Sequence, residues 1–130
     1  MRTIEWSDRG TVRMYDQRKL PLEVVIVEFD DYRDVARSIQ EMYIRGAPAI
    51  GAAAAFGLAL AGRQSGATTP GELLADLEEA AEVIRATRPT AMNLFWALER
   101  MFKAARAVES SDVEATVQAL VDEAQRIADE

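Results

Sequence analysis

The stretch that decides the fold is Arg45-Gly46-Ala47-Pro48-Ala49-Ile50-Gly51, which lies between two helical patterns. Pro48 is favoured in the first turn of a helix, because the N–H group that proline lacks would have no partner there. The residues behind it, 49–62, are all small or apolar. A helix that is apolar on every side lies in a core or in a membrane, and this run is shorter than the about 20 residues that a span needs. The sequence therefore predicts a buried helix at the centre of the domain.

The start of this helix has the residues of an anion site. A helix start presents free N–H groups and the positive end of the helix dipole. Gly46 allows a partner to approach the backbone closely, and Arg45 adds a planar guanidinium that matches phosphate or carboxylate oxygens. The alternative is that these residues only end one helix and begin the next, with Arg45 facing water. Helix ends greatly outnumber phosphate sites.

A second arginine precedes a second proline in Arg88-Pro89-Thr90. Pro89 is expected to open a helix, and Arg88 would then stand before a helix start as Arg45 does. The alternative for Arg88 is an ion pair with an acidic neighbour such as Glu82 or Glu99, since exposed pairs of this kind are common and weak.

The first 29 residues predict a small antiparallel sheet. Thr3–Trp6 is a short strand, and Thr11–Tyr15 alternates apolar and polar residues. Residues 16–21 are a polar connection that ends in proline. Glu23–Phe29 contains a β-branched run, so we expect this strand to be buried on both faces near the middle of the sheet.

From Asp30 onward the apolar residues recur with a helical period. Asp31 is a predicted N-cap and Gly46 a predicted terminator of the first helix, whose apolar stripe includes Met42. Capping-box spacings at 69–72 and 111–114 predict two more helix starts. The last helix runs to the final residue without a stop signal, from which we expect a boundary within a larger protein. The fold class is therefore α+β: one domain, 1–130, with a sheet in 1–29 packed on about five helices in 30–130.

Composition limits the function classes. The net charge is −7, and the chain has neither Cys nor His. Residues 1–29 hold five basic and five acidic groups, so the excess acid lies in the helical part and argues against a nucleic-acid or membrane surface. Residues 1–8 lack the apolar core of a signal peptide. We expect a cytoplasmic protein with no cofactor and no metal site, and thiol or histidine chemistry is excluded.

The longest informative run, Met42-Tyr43-Ile44-Arg45-Gly46-Ala47-Pro48-Ala49-Ile50-Gly51-Ala52-Ala53-Ala54-Ala55-Phe56-Gly57, resembles the signature of the methylthioribose-1-phosphate isomerases. Ile4-Glu5-Trp6 with Asp16-Gln17-Arg18-Lys19-Leu20-Pro21, and Arg88-Pro89-Thr90-Ala91-Met92-Asn93-Leu94, agree in order and spacing. The superfamily also contains ribose-1,5-bisphosphate isomerases and regulatory subunits of an exchange factor in translation initiation. The likeness covers nearly the whole chain but only the amino-terminal part of such an enzyme.

The resemblance implies a reaction of methionine salvage, the interconversion of methylthioribose 1-phosphate and methylthioribulose 1-phosphate. Family members supply a Cys and an Asp for this chemistry from a second, Rossmann-like domain, and no counterpart is found here. The resemblance therefore assigns substrate binding to Arg45, Gly46, Ala47 and Arg88, and no catalytic residue. We expect a substrate-holding half-site that is inactive alone, partnered by a carboxy-terminal catalytic domain, with a homodimer possible.

Three alternatives remain open. A regulatory subunit would bind a sugar phosphate or a protein without catalysis, although residues 16–21 and 88–90 argue against it. A helical interaction domain would bind no sugar phosphate. A bisphosphate isomerase would need further basic groups, for which Arg18 and Lys19 are the nearby pair.

Overall fold

The computed structural model describes residues 3–108 and 112–130 and shows an α+β fold of three strands and five helices. The strands are β1 (Ile4–Trp6), β2 (Val12–Tyr15) and β3 (Ile26–Phe29). The helices are α1 (Tyr32–Gln40), α2 (Ala47–Gln64), α3 (Pro70–Thr87), α4 (Met92–Arg106) and α5 (Val113–Asp129). The predicted fold class is confirmed. In the described part of the chain, no helix is long and apolar enough to cross a membrane.

Helix α2 is the centre of the molecule, as its composition predicts. Every residue from 50 to 62 is buried, and α2 packs against each of the other four helices. Its small residues allow this close approach. A Cβ added at Gly57 would lie 3.2 Å from Val35 Cγ1 and 3.3 Å from Ile84 Cδ1, closer than ordinary packing contacts.

The sheet has the strand order β1-β2-β3, and both pairs are antiparallel. The prediction that the third strand lies near the middle and is buried on both faces is wrong. β3 is an edge strand that begins only at Ile26, and Val24 is 69% exposed. β2 occupies the centre, with Val12 and Met14 fully buried. The β-branched run favours extended backbone, but hairpin order along the chain places the second strand between the other two.

Helix α1 begins at its predicted cap, because the Asp31 carboxylate accepts the Arg33 N–H at 2.9 Å. Its predicted terminator is wrong, since α1 ends at Gln40 and Gly46 is instead the N-cap of α2. Met42 follows α1 with a φ of 63° and is 46% exposed, so it is no part of the apolar stripe. Helix α2 also runs two residues beyond its predicted end.

The starts of the later helices agree with the sequence in part. Thr69 caps α3 by accepting the Glu72 N–H at 3.2 Å, as the capping-box spacing predicts. The predicted cap Ser111 lies outside the described residues, and Asp112 is the N-cap of α5. Pro89 does not open α4; it lies in a turn, and the helix begins at Met92 behind the cap residue Ala91.

Candidate functional site

The starts of α2 and α4 lie side by side at one end of the helical bundle. A Cβ added at Gly51, in the second turn of α2, would lie 3.3 Å from the carbonyl oxygen of Asn93, in the first turn of α4. Helix α3 runs the opposite way, because Gly62 of α2 faces Leu77 whereas Gly57 faces Ile84. The carboxyl end of α3 therefore arrives where α2 begins, and the two arginine segments of the sequence share this end.

The helix starts at this end differ from the others. Helices α1, α3 and α5 each have a side-chain cap and an acidic residue in the first turn. Helices α2 and α4 have neither. In the described part of the chain, no acceptor is bonded to the backbone N–H of Gly46, Ala47 or Ala49. Side chains of the protein thus neutralise the positive dipole ends of α1, α3 and α5. The positive ends of α2 and α4 have no such side chain and are open to an external anion.

Arg45 stands directly before the open start of α2. Its backbone N–H donates to Gln17 Oε1 at 3.2 Å, and its Nη2 donates to the Gln17 carbonyl oxygen at 3.4 Å. A guanidinium has five N–H donors, so those that do not contact Gln17 are free to bind oxygens of a ligand. The side chain is exposed to solvent.

The backbone conformation at position 46 requires a glycine. It has φ 93° and ψ 139°, a region that is essentially restricted to glycine. Among the described residues other than its chain neighbours, no atom lies within 4 Å of an added Cβ, so the space in front of α2 is open on the side of this Cβ. The approach of a ligand to this backbone is therefore unobstructed, and the residue is fixed by the turn that leads into the helix.

Arg88 is the residue that ends α3, and it is half-buried. The alternative of an ion pair with Glu82 or Glu99 is wrong, because neither carboxylate bonds to it. Within residues 3–108 and 112–130 the Arg88 side chain has no ion-pair partner. Its charge is therefore available to a ligand at the end of the bundle where α2 and α4 begin.

The sequence does not place Arg18 and Lys19 relative to the site. In the structure, the loop 16–18 contacts Arg45 through Gln17. Asp16 is only 3% exposed, and the Arg18 guanidinium binds its two carboxylate oxygens at 3.0 and 2.9 Å. The hydrogen bond from Arg18 holds the pKa of the Asp16 carboxyl below its ordinary value. The same guanidinium lies 3.9 Å from the centroid of the Tyr43 ring. Arg18 is thus bound to other residues of the protein. Of the pair Arg18 and Lys19, which a second phosphate would require, Lys19 has neither an ion pair nor a ring contact of its side chain among the described residues.

The site end also carries a shallow cavity of about 330 Å³. Strand β1, the first two turns of α2 and the end of α5 line it with Thr3, Ile4, Pro48, Ala49, Ala52, Ile127, Ala128 and Glu130. Two larger cavities, of about 580 and 600 Å³, run along α4. None of these three cavities is lined by Arg45, Gly46, Ala47 or Arg88. No group of three or more potential metal ligands is arranged to hold an ion within the described residues. The arrangement can hold and orient an anion.

Comparison with known proteins identifies the family. Residues 43–130 match the model of the initiation factor 2 subunit family, called IF-2B, and the chain therefore belongs to that family. The methylthioribose-1-phosphate isomerase of Syntrophotalea carbinolica is 49% identical over 128 residues, which are 98% of this chain and 37% of that protein. The enzyme of the same name from Pelotomaculum thermopropionicum is 46% identical and is matched over 34% of its length. The chain spans about a third of the length of these curated relatives.

Two solved structures share the fold. The crystal structure of 5-methylthioribose 1-phosphate isomerase from Pyrococcus horikoshii OT3 superposes with a TM-score of 0.91 at 44% identity, over 98% of this chain and 36% of that one. The structure of translation initiation factor eIF-2B subunit delta from A. fulgidus has the same TM-score at 37% identity, over 99% of this chain and 37% of that one. The fold is therefore common to relatives with different names.

Proposed function

We propose that this chain is the substrate-holding part of an aldose–ketose isomerase that converts methylthioribose 1-phosphate to methylthioribulose 1-phosphate in methionine salvage, in the cytoplasm. The observation that carries the proposal is the pair of adjacent, uncapped helix starts with Arg45 and Arg88 beside them. A chain that caps its other three helices with its own side chains leaves these two open, which suits a dianionic phosphate.

The role of each residue follows from its position. The free N–H groups of Gly46 and Ala47 and the guanidinium of Arg45 bind phosphate oxygens at the start of α2. Arg88, half-buried at the end of α3, orients the phosphate or a sugar hydroxyl. These groups are fixed by the buried α2 core, so they position the substrate without transforming it.

We infer that the chemical step uses groups outside this chain. The 1-phosphate blocks the anomeric carbon, so the ring must open before hydrogen moves between C1 and C2. That transfer requires a proton-carrying group or a dry pocket. The sequence has no Cys and no His, and the buried carboxylate Asp16 is ion-paired to Arg18. We assign the catalytic groups to a carboxy-terminal domain of the kind that completes the longer relatives.

A non-catalytic subunit of the translation-initiation type is the second candidate. The equal TM-scores of 0.91 show that the fold does not separate the two functions. The sequence favours the isomerase, because identity is 44% to the isomerase structure and 37% to the initiation-factor subunit.

A chimera tests the proposal. Residues 1–130 replace the matching part of the P. horikoshii isomerase, and turnover of methylthioribose 1-phosphate is measured. We expect an active enzyme in which Arg45→Gln or Arg88→Gln lowers kcat/KM by about 10- to 100-fold, the value of a charge-assisted hydrogen bond. Arg33→Gln, which removes an exposed arginine of α1, serves as the control and should change little. A folded but inert chimera would contradict the proposal and favour the non-catalytic subunit.

A further inference from the structure

The loop 16–18 contacts the segment 43–45 through several independent interactions. The Gln17 N–H donates to the Tyr43 carbonyl oxygen at 2.6 Å, while the Gln17 side chain accepts the Arg45 N–H. Arg18 lies over the Tyr43 ring at 3.9 Å and also binds Asp16. The short polar loop therefore fixes the backbone of the residues that lead into α2.

Gln17 is the member of this loop that reaches the candidate site. Its Oε1 accepts the Arg45 backbone N–H at 3.2 Å, and its carbonyl oxygen accepts one N–H of the Arg45 guanidinium at 3.4 Å. Both ends of Arg45 are thus held by one residue. An arginine side chain has large rotamer freedom, so a contact that restricts it before binding lowers the entropy lost when a ligand binds.

The buried ion pair behind Gln17 keeps it in place. The Asp16 side chain is 4% exposed, and Arg18 binds it through both of its oxygens. The Asp16 N–H also donates to the Val25 carbonyl oxygen at 2.8 Å, which ties the loop to the segment leading into β3. Bidentate geometry of this kind restrains orientation as well as distance.

We propose that the Gln17 side chain is a positioning group for the phosphate site, which fixes the backbone of Arg45 at the open start of α2 and so raises the affinity for a phosphate-bearing ligand. This inference rests on the proposed function of Arg45. It assigns to the loop 16–18 a role in binding, although none of its side chains need touch the ligand.

The chain offers a matched control at the far end of α2. Gln64 Oε1 accepts the Tyr32 backbone N–H at 2.7 Å, a bond of the same kind as that from Arg45 to Gln17. The two bonds are separated by the length of α2, which is about 25 Å for a helix of this size. Gln17→Met and Gln64→Met each remove one such acceptor while keeping the length of the side chain.

The test measures Kd for methylthioribose 1-phosphate and for inorganic phosphate by titration followed in NMR spectra, well below the unfolding temperature of every variant. We expect both variants to lose a little stability, but only Gln17→Met to bind more weakly, by about fivefold, the value of one ordinary hydrogen bond. In ligand-free spectra, the Arg45 amide should exchange with solvent faster in Gln17→Met and be unchanged in Gln64→Met.

The outcomes separate the two proposals. Equal binding by wild type and Gln17→Met, with binding lost in Arg45→Gln, would overturn the positioning role and leave the phosphate site standing. Unchanged Arg45 amide exchange in Gln17→Met would also overturn the positioning role. If wild type binds neither ligand, the phosphate site itself is overturned, and the role of Gln17 falls with it.

Discussion

Gly46 occupies a backbone conformation that other residues adopt only at a cost, although there is ample space around it. Gly46→Ala should therefore destabilise the protein by about 1–3 kcal/mol through backbone strain alone. Gly71, in the first turn of α3, also has open space around it and has no positive φ. Gly71→Ala should stabilise the protein by about 0.5–1 kcal/mol, because it reduces the freedom of the unfolded chain. Urea unfolding of both variants measures the contrast, and similar effects of the two would contradict it.

Asp16 gives the stability a defined dependence on pH. Its folded pKa lies below the ordinary value because Arg18 donates hydrogen bonds to the carboxylate. Above the ordinary value the carboxylate is charged in both states, and its contribution to stability is complete. As the pH falls, the unfolded chain takes up the proton first, so the contribution is lost through the folded pKa.

The difference in unfolding free energy between wild type and Asp16→Asn should therefore be largest near neutral pH and shrink as the pH falls below the ordinary aspartate value of about 4. Glu28 and Glu130 also have lowered pKa values, from their hydrogen bonds to Arg9 and Arg100, but both variants retain them. A difference that stays constant over this range would show that the ion pair contributes nothing to the acid sensitivity.

At the level of elements, the start of a helix could be predicted where the capping residue and the N–H group it accepts are close in sequence. Asp31 and Thr69 are caps that depend only on residues two or three positions away, and both predictions are confirmed. Pro89 carries the same local preference for a helix start, yet it lies in the turn between α3 and α4. Proline is equally suited to turns, and the packing of α4 on α2 decides where that helix begins. The position of β3 depends likewise on which strands pair, and a strand's own composition does not specify that.

A negative charge at the open start of α2 should raise the stability of the protein and lower its affinity for phosphate. Ala47→Glu places a carboxylate beside free N–H groups, which should stabilise the helix by about 0.3–1 kcal/mol through the dipole. The same charge should repel phosphate and lower its affinity by at least about tenfold. Thr69→Ala is the control, because it should cost α3 about 1 kcal/mol and leave binding unchanged. Thermal unfolding and phosphate titration of the two variants measure both quantities. Unweakened binding in Ala47→Glu would show that the anion does not bind at this helix start.

For the whole molecule, the helical bundle could be predicted from two sequence features. Amphipathic helices with a 3.6-residue period must bury their apolar faces, and a helix that is apolar on every side must lie at the centre. The contact between residues 16–18 and 43–45 could not, because it joins segments that are distant in sequence, and no local pattern records it. The same limitation applies to Arg88. The sequence allows an ion pair between Arg88 and Glu82 or Glu99, and only the three-dimensional arrangement shows that it does not form.

The surface of the whole molecule also carries apolar side chains around the unpaired edge of β3. Leu22 is 93% exposed, Val24 69% and Ile26 45%. Exposed apolar edges favour association, and a charged side chain on such an edge opposes it. We predict weak reversible self-association of this chain in sedimentation experiments, reduced in Val24→Lys. Gly66→Lys, an added charge in the loop between α2 and α3, is the control. A monomer at all concentrations would exclude a homodimer through this edge.

The most direct measurement is thermal unfolding of the chain with methylthioribose 1-phosphate, ribose 5-phosphate or inorganic phosphate. A ligand that binds only the folded state raises the midpoint, by about 5 °C at a tenfold excess over its Kd. The account predicts the largest rise with methylthioribose 1-phosphate, lost in Arg45→Gln and in Arg88→Gln and retained in Arg33→Gln. No rise with any ligand, or a rise that survives removal of Arg45, would contradict the claim that the open start of α2 is a phosphate site.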